Sequence, residues 1–145
     1  MKRLHLHIRT NDLDRSIDFY TAMFGTAPTV QKDDYAKWLL VDPAANISLS
    51  THGTKTGIDH AGLSLDDDKE LEAVAARLEA AGVLSRPEAD TTCCYAKSNK
   101  YWTQDPQMAV WELFHTYGES GAYGSEPDLS LNAAKPKAAT TAACC

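Results

Sequence analysis

Apolar and polar residues alternate at the start of the chain and then change to a helical spacing. In RLHLHIRT, residues 3–10, the leucines and the isoleucine occupy every second position, and this period of two predicts a strand. From Leu13 to Phe24 the apolar residues recur on one face of a helix, which Asn11 or Asp12 can cap and Gly25 can end. The segments YAKWLLV and NISLS then predict further strands.

The second half of the chain repeats this order of elements. DHAGLSL predicts a strand, DDDKELEAVAARLEAAG predicts a helix that Gly82 ends, and CCYAKSNKYWT and AVWELFHT predict strand-like structure. Seven positions separate His5 from Asp12, and seven also separate His60 from Asp67. The sequence therefore predicts an α+β fold made of two βαβββ modules.

The repeat also predicts where the domain ends. We expect one domain over residues 1–117, with modules at about 1–52 and 57–117. The remaining segment, 118–145, is rich in small residues, glycine and proline and has little periodicity. Such composition is typical of a flexible tail, and this one ends in a pair of cysteines.

Charge and composition exclude several classes of partner. The 145-residue chain has a formal net charge of −6 and no basic patch, so nucleic acid is not an expected partner. It has no apolar stretch near the roughly 18 residues of a membrane span and no signal-peptide apolar region. We therefore expect a cytoplasmic protein without a membrane partner. Because cytosolic thiols stay reduced, its four cysteines indicate metal, metalloid or redox chemistry rather than disulfides.

Side chains with metal-binding chemistry fall at corresponding places in the two halves. They are His5 or His7 on the first strand, His60 on the first strand of the second half, and Glu112 on the last strand. Two imidazoles and one carboxylate form the ligand set of non-haem Fe(II) sites that react with O₂. Each residue alone is explained as well by a hydrogen-bonded role in the core or on the surface, so the predicted metal site depends on the whole set.

All four cysteines occur in adjacent pairs, Cys93-Cys94 and Cys144-Cys145. Neighbouring residues cannot easily reach the geometry of a structural disulfide. As thiolates they are soft ligands for zinc, cadmium, copper(I) or trivalent arsenic, and once one sulfur has bound, the other binds at high effective concentration. The alternative for the first pair is that both are small buried hydrophobic residues, an explanation that does not suit a pair at the end of a tail.

Two segments resemble the vicinal oxygen chelate superfamily, which includes glyoxalase I and extradiol dioxygenases. The segment that begins at His5 and continues into DLDRSIDFY is similar to the opening strand and helix of this family, and DPQMAVWELF is similar to its closing strand. The resemblance covers residues 3–117. It implies two βαβββ modules around a metal cleft, with His5 rather than His7, His60 and Glu112 as metal ligands. Ser48 stands where glyoxalase I has a fourth, carboxylate ligand.

The segment TTCCYAKSNKYW resembles one branch of that superfamily, the ArsI/CadI branch. ArsI proteins use Fe(II) and O₂ to cleave the carbon–arsenic bond of trivalent organoarsenicals such as methylarsenite and reduced aromatic arsenicals. The resemblance implies that Cys93 and Cys94 bind the arsenic of the substrate and that the cleavage releases arsenite. We further expect Cys144 and Cys145 to capture arsenic from the end of the tail, and Tyr95, Lys100 and Trp102 to line the pocket, for which strand packing is the alternative.

Two other functions are consistent with parts of this pattern. A CadI-like protein that binds cadmium or arsenite without turnover would use the same thiols but would not need an iron site. A glyoxalase-type metalloisomerase would need the metal site, but it leaves the cysteines unexplained and lacks the fourth carboxylate at Ser48. Related folds work both as monomers and as homodimers, so both oligomeric states remain open.

Overall fold

The computed structural model describes residues 1–83, 85–125 and 129. In these residues the order β-α-β-β-β occurs twice, which confirms the predicted fold class. The elements are β1 (Arg3–Arg9), α1 (Leu13–Phe24), β2 (Val30–Lys32), β3 (Tyr35–Leu40), β4 (Ala45–Ser50), β5 (Gly57–Ser64), α2 (Asp68–Ala80), β6 (Ser85–Cys93), β7 (Ala96–Gln104) and β8 (Val110–Glu119).

The strands form one eight-stranded sheet in the order β2-β3-β4-β1-β5-β8-β7-β6. Each module therefore contributes one half of the sheet, and the antiparallel pair β1–β5 joins the halves. Within each half the first strand pairs in parallel with the last strand of the same module, β1 with β4 and β5 with β8. The first and last strands of both modules consequently lie at the centre of the sheet.

Both helices begin at an aspartate that caps the free backbone amides of the first turn. The carboxylate of Asp12 accepts a hydrogen bond from the amide of Arg15 at 3.1 Å, so Asp12 and not Asn11 is the cap. The carboxylate of Asp67 accepts from the amide of Glu70 at 2.8 Å. In each module, therefore, the equal spacing (His5 to Asp12 and His60 to Asp67) is the distance from a histidine on the first strand to the aspartate that caps the helix.

Each module has its own apolar core between its helix and its half of the sheet. The first includes Trp38 and Leu49, whose exposed fractions are both zero, and the second includes Leu71 and Leu113. All six residues of β4 are buried, although three of them are polar. Alternate side chains of a strand point to opposite faces, so the polar residues lie on the face away from the α1 core. The buried polar residues of β4 are Asn46, Ser48 and Ser50.

The segment CCYA was predicted as strand and forms a turn instead. β6 ends at Cys93, β7 begins at Ala96, and the two residues between them, Cys94 and Tyr95, have φ angles of 56° and 60°. Positive φ at both central residues is the geometry of a type I′ hairpin turn. The prediction failed because Asn-Gly or Asp-Gly, the usual signals of this turn, are absent. We call residues Cys93–Ala96 the dithiol turn.

The chain remains structured beyond residue 117, where the tail was predicted to begin. β8 continues to Glu119, and Gly124 forms a bridge with Cys93. The first part of the predicted tail, as far as Ser125, therefore packs against the dithiol turn. The tail cysteines Cys144 and Cys145 lie outside the described residues. In the part of the chain that the structure describes, neither helix is long and apolar enough to cross a membrane.

Candidate metal centre and thiol site

A cavity of about 50 Å³ opens on the sheet face away from the helices. The predicted ligands His5, His60 and Glu112 line it, and so do Cys93 and Cys94. Residues from the centre of the sheet and from a hairpin turn at its edge therefore share one space. Of the three residues predicted to line the pocket, the structure places Lys100 in the wall of the cavity but neither Tyr95 nor Trp102.

The two histidines and the glutamate converge on one another. Nε2 of His5 lies 3.5 Å from Oε2 of Glu112, and Nε2 of His60 lies 3.3 Å from the same oxygen. Ligand atoms bound to one metal ion are about 3 Å apart, since each is about 2.1 Å from the ion. All three side chains are buried. Their spacing thus fits two imidazole ligands and one carboxylate ligand of a single ion.

Hydrogen bonds orient both imidazoles with Nε2 towards the cavity. Nδ1 of His5 lies 3.0 Å from the carbonyl oxygen of Asn46. Nδ1 of His60 lies 2.8 Å from Oδ2 of Asp59. A carbonyl or carboxylate oxygen can only accept, so Nδ1 carries a proton in both rings, and Nε2 is the nitrogen that faces the cavity and could bind a metal. Such outer partners are typical of metal-binding histidines.

His7 also reaches this cluster, since one ring nitrogen each of His5, His7 and His60 lie within 4.8 Å of one another. Both ring nitrogens of His7 are already engaged, however. Nδ1 lies 3.0 Å from Oγ of Ser48, and Nε2 lies 2.9 Å from Oγ of Ser50. Coordination by His7 would break one of these buried bonds. The hydrogen bonds therefore support the choice of His5, which stays a prediction.

The charges around the cluster suit a bound cation. Burial raises the pKa of Glu112, but Lys100, whose Nζ lies 2.7 Å from Oε1, acts together with His60 and His5 to hold the pKa well below its usual range. Burial lowers the pKa of His60, yet its hydrogen bonds to Asp59 and Glu112 raise it to about 9. The carboxylates of Asp59 and Glu112 thus stabilise a positive charge at His60, whether a proton or a metal ion carries it. Burial lowers the pKa of His5 to about 4, which keeps this imidazole neutral.

The register of the strands identifies the counterpart of Glu112 in the first module. Gly62, two residues after His60, pairs with Glu112 on the parallel neighbour β8. His7, two residues after His5, pairs with Ser48 on the parallel neighbour β4. Ser48 therefore occupies in module one the place that Glu112 occupies in module two. Its hydroxyl bonds His7, and no carboxylate stands at this position.

Cys93 and Cys94 are neighbours in the wall of the cavity and form no disulfide with each other. Their sulfurs lie 3.2 Å apart, well beyond the ~2.05 Å of a disulfide. The hydrogen bond from Cys94 lowers the pKa of Cys93, and Lys100 adds to this effect. The bond to Cys93 and burial raise the pKa of Cys94 well above its usual range. The thiolate form is therefore easier to reach at Cys93 than at Cys94.

Residues 2–113 match the family model of the Glyoxalase/Bleomycin resistance protein/Dioxygenase superfamily. The chain belongs to this superfamily. Among solved structures, the 2,3-dioxygenase LapB from Pseudomonas sp. KL28 has a similar fold; it is 22% identical with a TM-score of 0.59. The match covers 84% of this chain and 42% of LapB.

Curated superfamily relatives are more similar in sequence. A probable trivalent organoarsenical cleaving enzyme from Bacillus subtilis (strain 168) is 36% identical over the full length of both chains. A trivalent organoarsenical cleaving enzyme from Bacillus sp. (strain MD1) is 39% identical, over 80% of this chain and 74% of the relative. The cadmium-induced protein CadI from Mycobacterium tuberculosis (strain ATCC 25618 / H37Rv) is 32% identical, over 88% of this chain and 84% of the relative.

Two residues around the cavity, Asp59 and Tyr123, were not predicted from the sequence. Asp59 precedes His60 and binds it, and its other oxygen lies 2.7 Å from Nε of Arg9. Tyr123 lies in the segment predicted to be a tail, yet it is buried and accepts a hydrogen bond from Cys94 at 3.6 Å. Adjacency to a histidine was the only sequence signal for Asp59. Tyr123 had none, because its contacts join distant parts of the chain.

Trp102 and Tyr95 lie close to the site without lining the cavity. Trp102 is fully buried and meets the ring of His60 edge-on, with centroids 5.1 Å apart. The hydroxyl of Tyr95 donates to Oδ1 of Asp34 at 2.6 Å. Trp102 thus packs against the ring of His60, a predicted metal ligand, and Tyr95 hydrogen-bonds the loop between β2 and β3.

Replacing Asp59 with asparagine should weaken metal binding without unfolding the protein. The asparagine would keep the shape of the side chain but lose the charge that holds the Nδ1 proton of His60, and changes of this kind cost about 10–100-fold in metal affinity. The measurement is Fe(II) affinity by anaerobic titration, with Asp18→Asn, on the exposed face of α1, as the control. Equal affinity in Asp59→Asn and the unaltered protein would show that Asp59 does not orient His60 for a metal.

Proposed function

We propose that this protein cleaves the carbon–arsenic bond of trivalent organoarsenicals in a reaction that needs Fe(II) and O₂ and releases arsenite. One observation carries the proposal: the adjacent thiols Cys93 and Cys94 line the same buried cavity as His5, His60 and Glu112. Thiols suit trivalent arsenic, and two imidazoles with a carboxylate suit non-haem Fe(II). The names of two curated relatives, organoarsenical cleaving enzymes, support the same activity.

In this proposal His5, His60 and Glu112 hold the iron. Bound Fe(II) would supply the activation of O₂ that this ligand set supports in other enzymes. Lys100 keeps Glu112 ionised through its bond to Oε1, which leaves Oε2 to face the two imidazoles. The ligand side chains are buried, so the charges there act on one another strongly.

The role of Cys93 and Cys94 is to hold the arsenic atom. Two sulfurs 3.2 Å apart can bind one atom between them, and the second bond forms at high effective concentration because the turn holds both thiols. Arsenic bound at the cavity wall would present its organic group to the space in front of the histidines. Free thiols also suit a reducing compartment, and we propose a cytoplasmic location on this ground.

A second candidate is a protein that binds cadmium or arsenite and catalyses no reaction. The thiol pair fits this role, and the relative named cadmium-induced protein CadI is 32% identical to this chain. Sequestration by Cys93 and Cys94 would not use the neutral His5 or the oriented His60. The buried ligand cluster therefore favours the enzyme.

The deciding experiment separates iron, substrate and O₂. Purified protein is loaded with Fe(II) under anaerobic conditions and mixed with methylarsenite, air is admitted, and arsenic species are separated by chromatography. We expect arsenite to appear only after O₂ enters and only in the iron-loaded sample. Binding of methylarsenite with no arsenite after aeration would contradict the lyase and favour the binding protein.

A further inference from the structure

The segment that follows β8 is attached to both sides of the dithiol turn. The amides of Ser120 and Ser125 donate to backbone carbonyls of the turn and of β6, at 2.9 and 3.1 Å. Between them, a Cβ on Gly124 would lie only 2.0 Å from the carbonyl oxygen of Thr92, and φ of this glycine is +86°. The approach is close enough to require glycine, and it places Tyr123 directly beside the thiols.

The ring of Tyr123 is held in place by other aromatic side chains. It stacks on His52 with a centroid distance of 3.6 Å and an interplanar angle of 16°. Tyr35 and Tyr95 meet it edge-on at 6.2 and 5.8 Å. These contacts come from β3, from the loop after β4 and from the dithiol turn. The position of the Tyr123 hydroxyl is thus set by both modules.

That hydroxyl joins Cys94 to a buried chain of hydrogen bonds. Sγ of Cys94 donates to it at 3.6 Å, and it also bonds Ser50. Ser50 in turn lies 2.9 Å from Nε2 of His7. Tyr123 is therefore anchored at its oxygen as well as at its ring, and it restricts where the Cys94 thiol can point.

Cys93 has different neighbours. The positive charges of Lys100 and His60 favour its ionised form, whereas Cys94 has Tyr123 as its hydroxyl partner. The ionisable groups that face Cys94 from the surrounding elements are Cys93, Tyr35, Lys37, Lys100, Glu112 and Tyr123.

We propose that Tyr123 is a positioning residue that holds the Cys94 thiol for the second of two ordered steps of arsenic capture, the first being attack by Cys93. The inference rests on the proposed function. In the first step the Cys93 thiolate forms an S–As bond, and one hydroxide leaves arsenic and is protonated to water. In the second step Cys94 forms an S–As bond, and its proton leaves with the other hydroxide as water. Arsenic stays trivalent, and its carbon bond is unchanged.

The order of the steps follows from the shared proton of the pair. Before capture, the Cys94 sulfur lies within hydrogen-bond distance of both the Cys93 sulfur and the Tyr123 oxygen, so either neighbour can hold its proton. Once Cys93 is bonded to arsenic it no longer carries a charge that retains this proton. Tyr123 then remains as the hydroxyl partner of Cys94, and it lowers the pKa of that thiol against the opposing effects of the Cys93 bond and burial.

The test is the capture of phenylarsine oxide by metal-free, full-length protein under anaerobic conditions. Cys144→Ser and Cys145→Ser are present throughout, so that only Cys93 and Cys94 react. Acid-quenched samples are analysed by intact-protein mass spectrometry, since the singly bonded adduct is heavier than the doubly bonded one by one water. Tyr123→Phe removes only the hydroxyl. The control is Tyr117→Phe, an exposed tyrosine on β8 whose hydroxyl bonds Asp90.

In Tyr123→Phe we expect the first step to keep its rate and the second step to slow about tenfold, the value of one ordinary hydrogen bond. The pH midpoint of the second step should move upward, because Cys94 loses the partner that lowers its pKa. Tyr117→Phe should alter neither step. Unchanged kinetics in Tyr123→Phe, or equal slowing of both steps, would overturn the proposal. Because neither iron nor O₂ is present, failure here is distinct from an absence of arsenite release in the lyase experiment.

Discussion

Replacing Glu112 with glutamine should remove iron binding and carbon–arsenic cleavage together. The amide keeps the volume of the side chain and can still accept a hydrogen bond from Lys100, but it lacks the charge that draws a cation between His5 and His60. Loss of an outer partner alone costs about 10–100-fold in affinity, so loss of a ligand charge should exceed ~100-fold. The measurements are iron content after anaerobic loading and arsenite release after aeration.

The same assay decides between the two histidines of β1. His5→Ala and His60→Ala should lose iron and activity. His7→Ala should retain iron, because both nitrogens of His7 are occupied by the serines of β4. Thermal melting of each variant shows whether it is folded. Full iron occupancy in His5→Ala, together with loss of iron in His7→Ala, would mean that His7 is the ligand and that the serine bonds give way to the metal.

Replacing both Cys93 and Cys94 with serine should abolish turnover and leave iron in place. Serine is close to cysteine in size, but its hydroxyl is a hard donor that does not replace a thiolate for trivalent arsenic. Each single replacement should also be severe, because the gain from chelation needs two sulfurs. Iron content and methylarsenite binding are measured on one sample, with Cys144→Ser and Cys145→Ser present so that the tail cysteines cannot mask the loss.

Two results would contradict this assignment. If the double variant lost its iron, the thiols would be metal ligands or necessary for the fold. If it cleaved methylarsenite at an unchanged rate, the dithiol turn would have no part in the reaction. The matched control is Ser98→Ala on β7, which removes a buried polar group from the cavity wall without touching either sulfur.

Local patterns in the sequence predicted much of the fold. The alternation around His5, the helical spacing from Leu13 to Phe24 and the cap of the first helix, predicted at Asn11 or Asp12, depend on near neighbours in the chain, and the structure contains each of them. β6 was harder to predict because Pro87 interrupts it. Proline is tolerated there since β6 lies at the edge of the sheet, which is a property of the whole sheet.

The site was predictable as a set of residue types and less so as an arrangement. One histidine of β1, His60, Glu112 and the cysteine pair could be selected because the two halves repeat and because adjacent thiols have few structural uses, and the family resemblance selected His5. The choice between His5 and His7 could not be made from alternation, since residues two apart on a strand face the same side. The hydroxyls of Ser48 and Ser50 hydrogen-bond the two ring nitrogens of His7, and these serines lie on a strand about 40 positions away along the chain.

The amino-acid sequence alone was enough to predict the order of elements and the two-module repeat, since both follow from periodicity and spacing, and to select side chains whose chemistry suits a metal ion and a soft metal or metalloid. Only the folded chain shows that the thiols and the histidines share a cavity, that the serines of β4 hydrogen-bond His7, and that Tyr123 contacts Cys94. These facts depend on strand register and on how the segment after β8 packs against the dithiol turn. Both are set by contacts between residues far apart in the sequence, on which local patterns carry no information.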